Sequence, residues 1–109
     1  MDVVVNRFEV WLVSLDPAIG AEIQKTRPCL IISPNEPNQF LLTVTIIPLT
    51  STIRNYPTRV NCVFNGQRGQ LATDQIRSID KARLVKKVGI MDEVTCRTVC
   101  ELLIETYTY

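Results

Sequence analysis

Histidine is absent from all 109 residues. That removes the Ser-His-Asp and Cys-His nucleophile schemes, together with the commonest general base and metal ligand. The four cysteines, Cys29, Cys62, Cys96 and Cys100, form no C-x-x-C pair, so neither a zinc knuckle nor a thioredoxin-like motif is present. Cys96 and Cys100 can share a helix face, but two thiols without an imidazole make a poor zinc set. All four are expected to be reduced and to act as small hydrophobes. There is no Walker loop, no G-x-G-x-x-G and no G-x-S-x-G. Long apolar runs are also missing. The richest, Phe40 to Leu49, is interrupted by Thr43, Thr45 and Pro48 and is far too short to span a bilayer. Met1 to Phe8 carries Asp2 and only three consecutive apolar residues, which does not read as a signal peptide. A cytoplasmic location is the expectation.

What is present is ordinary globular composition, with 46% apolar and 21% charged residues. The length predicts one domain over residues 1–109. Folding at this size buries roughly two-thirds of the unfolded surface, so a buried dimer face would help a small core. Net charge is only +1, but it is unevenly spread. Residues 1–24 carry one base and four acids, residues 25–91 ten bases and three acids, and residues 92–109 one base and four acids. A basic block between acidic ends is either a polyanion footprint or a solvated face.

The pattern predicts strands at Val10–Leu15, Cys29–Ile32, Phe40–Ile47, Val60–Phe64, Gln70–Thr73 and Arg83–Val88. Asp16-Pro17 signals a turn, and Pro17 to Lys25 reads as a loop containing Gly20. Pro34, Asn35, Pro37 and Asn38 mark another loop, and Thr50 to Pro57 a third. Asn65-Gly66 is a strong hairpin signal because both residues tolerate positive φ. Residues 92–107 read as an amphipathic helix, capped by Asp92, with Cys96, Val99, Cys100, Leu103 and Tyr107 at helical spacing. Short strands followed by one helix suggest a compact barrel-like sheet packed on that helix.

Three segments can carry chemistry. In Gly20-Ala21-Glu22-Ile23-Gln24-Lys25-Thr26-Arg27-Pro28, a carboxylate and two cations fall within six residues. Pro28 favours extended backbone at Arg27, placing a guanidinium at a strand entrance, suited to two-point phosphate binding. The alternative is a structural Glu–Arg pair. Pro48-Leu49-Thr50-Ser51-Thr52 puts three hydroxyls at a strand end, fit for phosphate oxygens or for a self-bonded turn. Thr73-Asp74-Gln75-Ile76-Arg77-Ser78-Ile79-Asp80 is dense in polar groups and reads structurally as a short helical turn capped by Asp74 or Ser78. Ahead of them stands the opening Arg7-Phe8-Glu9-Val10-Trp11-Leu12-Val13 with Leu15-Asp16-Pro17, which matters for resemblance rather than for chemistry.

In this order and spacing, over roughly residues 7–105, these segments resemble the MazF/PemK family of toxins. The most specific signature is Gly20-Ala21-Glu22 followed by Arg27-Pro28, an apolar strand, Ser33-Pro34 and Asn38. Where that family usually has Gly-Asp, this chain has Phe8-Glu9, and Gln24-Lys25-Thr26 stands where glycine is frequent. The resemblance implies a mainly β fold, an SH3-like barrel with a C-terminal helix, and a homodimer. It implies the toxin of a type II toxin–antitoxin system: an endoribonuclease that cuts single-stranded mRNA without metal or cofactor, leaving a 2′,3′-cyclic phosphate and a 5′-hydroxyl. It also implies a MazE-like antitoxin with an acidic, partly disordered tail. It points to Glu22, Arg27 and Thr50 as catalytic residues, with Lys25, Asn35, Asn38, Ser51, Gln75 and Arg77 as RNA contacts. The rival readings are a CcdB-like DNA gyrase poison, which needs no Arg/Thr site, and an inactive RNA-binding or scaffold domain of the same fold.

Overall fold

The computed structural model describes residues 3–109, so Met1 and Asp2 of the predicted non-leader start lie outside the described residues. Seven strands and two helices follow one another: β1 (Glu9–Ser14), β2 (Thr26–Ile31), α1 (Asn35–Phe40), β3 (Thr43–Thr50), β4 (Arg59–Phe64), β5 (Gln67–Ala72), β6 (Arg77–Asp80), β7 (Leu84–Ile90) and α2 (Glu93–Tyr107). The strand order is β4-β5-β3-β2-β1-β7, with β6 also paired to β3, and every pairing is antiparallel. The sheet curls so far that the Phe64 ring of β4 lies against Gly89 of β7, where a Cβ would come within 2.7 Å of the ring. No ladder joins β4 to β7 among the described residues, so this is an open SH3-like barrel rather than a closed one.

Both faces of the central strands are covered. Val10, Leu30, Ile47, Leu71 and Val99 belong to a core under α2, while Trp11, Val13, Cys29, Ile31, Ile46 and Ile79 fill a second core on the opposite face. This is why Cys29 to Ile32 is apolar without alternation: successive side chains enter different cores. Burial pushes the Cys29 thiol up to about 12 and those of Cys62 and Cys96 to about 11. All four cysteines are free, and Cys29, Cys62 and Cys96 are packed as small hydrophobes.

The predicted helix is α2. Asp92 caps it, its carboxylate accepting the Thr95 N–H at 2.9 Å, and Cys96 and Val99 are its buried contacts. The Asn65-Gly66 turn joins β4 to β5, with φ of 50° and 77°.

Three expectations need correction. Asn35 to Phe40 is helical, not loop: Pro37 falls in the first turn, where a missing N–H costs no helical bond. The third strand therefore starts at Thr43 rather than Phe40, and it runs through Pro48 to Thr50. Residues 77–80 form an edge strand rather than part of a capped turn. The 3-10 turn at Thr73–Gln75 has no side-chain cap, Asp74 instead binding Arg59, and Ser78 sits within the strand.

The Phe8-Glu9 pair has a structural meaning. Phe8 adopts φ of 72°, a region in which glycine is relaxed and a bulky residue is strained. It is held there by hydrogen bonds from its N–H to Ile31 O and from Met91 N–H to its carbonyl. Glu9 is 5% exposed. Its carboxylate accepts from the Asn6 N–H (2.8 Å) and Trp11 Nε1 (3.0 Å) and pairs with Lys87 Nζ at 2.9 Å. Burial alone would raise this carboxyl, but the bonds from Lys87, Asn6 and Trp11 outweigh it and hold the group below its ordinary 4.5. A depressed carboxylate stabilises the fold above its unfolded value, and the gain vanishes as pH falls through the folded one. Glu9→Gln should therefore cost about 1–3 kcal/mol near neutral pH. In urea titrations the gap to wild type should close at pH values below 4.5.

Candidate active site

Arg27 enters β2 opposite Val13 of β1, and its Nε donates to the Gln24 carbonyl at 3.2 Å. Thr50 ends β3, two residues beyond Pro48. There β3 changes partner: residues 43–46 pair with β6, and Leu49 and Thr50 pair with Leu71 and Gln70 of β5. A residue without an N–H sits at the gap between the two ladders. This exchange sends Thr50 toward the β4–β5 hairpin and away from β6. Arg27, Thr50 and Ser51 consequently line one open cleft of about 340 Å³, with Arg68 and Gly69 of β5 on its far wall and Phe64 beside them. The Thr50 hydroxyl accepts the Thr52 N–H at 3.1 Å, so the self-bonded turn read from the sequence exists while Thr50 still faces the cleft. Gly69 is needed here for space: a Cβ would stand 2.9 Å from the Thr50 carbonyl oxygen.

Glu22, Gln75 and Arg77 line a different cleft of about 470 Å³, together with Ile19, Ile23 and Pro48. The Glu22 carboxylate accepts the Ile19 N–H, closing a turn within its own loop rather than pairing with Arg27. Gln75 brackets it. Its Oε1 accepts the Ile23 N–H at 2.7 Å and its Nε2 donates to the Ala21 carbonyl at 3.4 Å. The expected RNA contact Gln75 is thus a clamp on the Glu22 loop. The same loop is held by the Asp16 carboxylate, which accepts the Lys25 N–H at 2.9 Å, leaving the Lys25 side chain exposed with φ at 70°.

The two asparagines belong elsewhere. Asn38 is 1% exposed, donates to the Ser33 carbonyl at 2.9 Å and accepts from the Ser33 hydroxyl at 2.6 Å. It fastens α1 and cannot present its amide to RNA, which corrects the expectation. Asn35 is exposed, but its Oδ1 accepts the Arg7 N–H at 2.6 Å, and it lines neither cleft.

The basic block divides in the same way. Arg59 pairs with Asp74 at 2.8 Å, and Lys87 with Glu9 at 2.9 Å. Arg83 donates to the carbonyls of Ser14 and Asp16, and Lys81 to that of Asn38. Burial would raise the Asp74 carboxyl, but the Arg59 guanidinium more than offsets that and holds it below its usual value. Lys25, Arg27, Arg54, Arg68, Arg77 and Lys86 have no carboxylate partner among the described residues. Arg68 was missed in the sequence. The Asn-Gly turn located its strand, but nothing local says that β5 lies beside the end of β3. No three His, Cys, Asp or Glu side chains gather as a metal set among the described residues.

Residues 6–107 match the family model described as the PemK-like, MazF-like toxin of type II toxin–antitoxin systems. The chain belongs to this family. It is 37% identical to endoribonuclease PemK of Escherichia coli, over 84% of this chain and 77% of that protein. The MazF structure from Deinococcus radiodurans superposes with a TM-score of 0.87 at 24% identity, covering 99% of this chain and 100% of that one. An endoribonuclease from a mycobacterial species, solved with its cognate antitoxin, matches with a TM-score of 0.78 at 24% identity, over 93% and 92% of the two chains. These two likenesses speak for the fold. Two clefts flank the strand that ends at Thr50, and the Gln75 clamp holds the loop that bears Glu22. Gln75→Ala removes the bond to the Ile23 N–H, worth about 1 kcal/mol, together with the longer one to the Ala21 carbonyl. Amide exchange at Ile23 should then accelerate by about fivefold, while Leu15, bonded to the Lys25 carbonyl, should stay protected.

Proposed function

We propose that this chain is the endoribonuclease toxin of a type II toxin–antitoxin pair, cutting single-stranded mRNA at the cleft of Arg27 and Thr50. The observation that carries the reading is that these two residues, from β2 and β3, line one solvent-open cleft with Ser51 and with Arg68, which has no carboxylate partner among the described residues. Family membership supports it, as does the relative named endoribonuclease PemK. No observation favours a gyrase poison.

The reaction is an attack of a ribose 2′-oxygen on its own 3′-phosphorus. The P–O5′ bond breaks, leaving a 2′,3′-cyclic phosphate and a 5′-hydroxyl. The phosphorane carries extra negative charge, which the Arg27 guanidinium stabilises with two-point hydrogen bonds; it also donates a proton to the leaving 5′-oxygen, regained from solvent, to give the 5′-hydroxyl. The Thr50 hydroxyl holds a non-bridging oxygen. Glu22, exposed on the loop leading into β2, accepts the 2′-hydroxyl proton once its carboxylate releases the Ile19 N–H. Arg77, in the Glu22 cleft, and Lys25 and Ser51 bind flanking phosphates. Single strands suit such a site because their unstacked bases can be splayed into separate clefts.

The partners follow from the charge. The basic middle of the chain suits RNA and an antitoxin with an acidic tail that folds as it covers these clefts. The chain acts as one domain, paired with a second copy. A cytoplasmic location fits a toxin of mRNA, and among the described residues no helix is long and apolar enough to cross a membrane.

The test is a long single-stranded RNA incubated with the protein in EDTA, with fragment ends mapped. Site-specific cuts with 5′-hydroxyl ends are expected, and Arg27→Ala should slow them by about 10²–10³-fold. A folded Arg27→Ala protein cutting at the wild-type rate would overturn the mechanism. Gly69→Ala should retain the fold but move the Thr50 carbonyl and slow cutting by about 10²-fold, since misplacement by an ångström costs that much. Single-turnover rates measure both effects.

A further inference from the structure

A third cleft adjoins the first. Its volume is about 650 Å³, and it lies between residues 51–53, β4, β5 and the start of α2. It shares Ser51, Arg68 and Gly69 with the cleft of Arg27 and Thr50, so the two are continuous along one groove. Resting on the reading of that cleft as the place of RNA cutting, we propose that this third cleft is a nucleobase pocket. It takes the base of a nucleotide adjacent to the cut, and Asn61 is the residue that reads it.

The walls have the right chemistry. Ile53 and Val63 are 59% and 60% exposed, presenting apolar surface on which an unstacked base can lie. Arg68 stands where the two clefts meet, without a carboxylate partner among the described residues, so its guanidinium is free for a phosphate or the face of a base.

Asn61 supplies direction. An amide can be turned either way, and only its neighbours decide which atom is oxygen. Here the chain of bonds starts from a donor that cannot be reversed, the backbone N–H of Arg54. It donates to Gln70 Oε1 at 3.0 Å, which fixes Gln70 Nε2 as the donor side. Nε2 then donates to the Arg54 carbonyl at 3.1 Å and to Asn61 Oδ1 at 2.9 Å. Gln70 is only 4% exposed, so this arrangement is buried and held. Asn61 therefore has its oxygen spent on Gln70 and its Nδ2 hydrogens without a partner among the described residues. It offers donors to the groove and selects a base edge that presents an acceptor, a carbonyl oxygen or a ring nitrogen.

Asn61→Asp reverses that polarity while still accepting from Gln70, so the pocket is kept and its code is changed. Wild type and Asn61→Asp would each be given a random-sequence RNA pool, and the cut sites sequenced. The preference at one position beside the cut should shift by about 5- to 100-fold toward bases presenting an exocyclic amine, with the other positions unchanged. An identical preference at every position would overturn the proposal while leaving RNA cutting intact. Failure of the wild type to cut would instead sink the reading of the first cleft. A cutting-independent measurement decides the pocket in that case as well. The wild-type protein is irradiated with a 2′-O-methyl RNA carrying 4-thiouridine at each position in turn. Crosslinks to peptides containing Asn61, Val63 or Thr95 support the pocket. Crosslinks confined to the cleft of Glu22 and Arg77, or none at all because that groove is kept for a protein partner, overturn it.

Discussion

Strand β3 is bonded to three others, and its exchange of β6 for β5 around Pro48 is the constraint on which the arrangement of clefts rests. A strand that kept β6 as its neighbour throughout would carry Thr50 along the sheet edge. With the exchange, Thr50 comes against β5, whose Gly69 leaves room for its carbonyl and whose Arg68 faces the same space as Arg27. Pro48 stands at the exchange and lines the neighbouring cleft, so one residue separates the two clefts. The relation of Arg27 to Thr50 is thus set by sheet register, which is stiffer than loop conformation.

Side-chain amides then shape what the sheet leaves loose. Gln75 holds the loop bearing Glu22, Gln70 ties residue 54 to β4, and Asn38 closes α1 back onto Ser33, just after β2. Each satisfies backbone groups of a segment that has no regular partner. Such loops gain definition without gaining apolar burial, and their surfaces remain free for a polar ligand. Arg59 and Asp74 do the same with charge, fixing the 3-10 turn that carries Gln75.

Much of this was legible in the sequence where the signal is local. The Asn65-Gly66 turn, the Asp92 cap and the first turns of the α2 stripe are short-range features and stand where the pattern put them, although Tyr107 and Ile104 of that stripe are exposed. The ordered motifs carried the family, and with it the SH3-like fold. What escaped depends on distant partners. Residues 77–80 are a strand only because β3 offers an edge, and Asn38 and Gln75 are polar residues whose bonding partners could not be foreseen. Asn35 to Phe40 was masked by two prolines that a first helical turn tolerates. Arg68 was invisible for the same reason as β6: its meaning comes from the neighbour of its strand.

The sheet also fixes when its groove can exist. β4 and β5 are the strand neighbours joined by a two-residue turn, whereas β1 pairs with β7, at opposite ends of the chain. Leu12 and Val88, one from each of those strands, both line the cleft of Arg27 and Thr50. Pairings so distant close slowly and only after the intervening chain is available. A nascent chain emerging from the ribosome therefore displays Arg27 and Thr50 long before β7 arrives to complete the surface around them. The surface around Arg27 and Thr50 is thus complete only once β7, the last strand in chain order, has paired with β1.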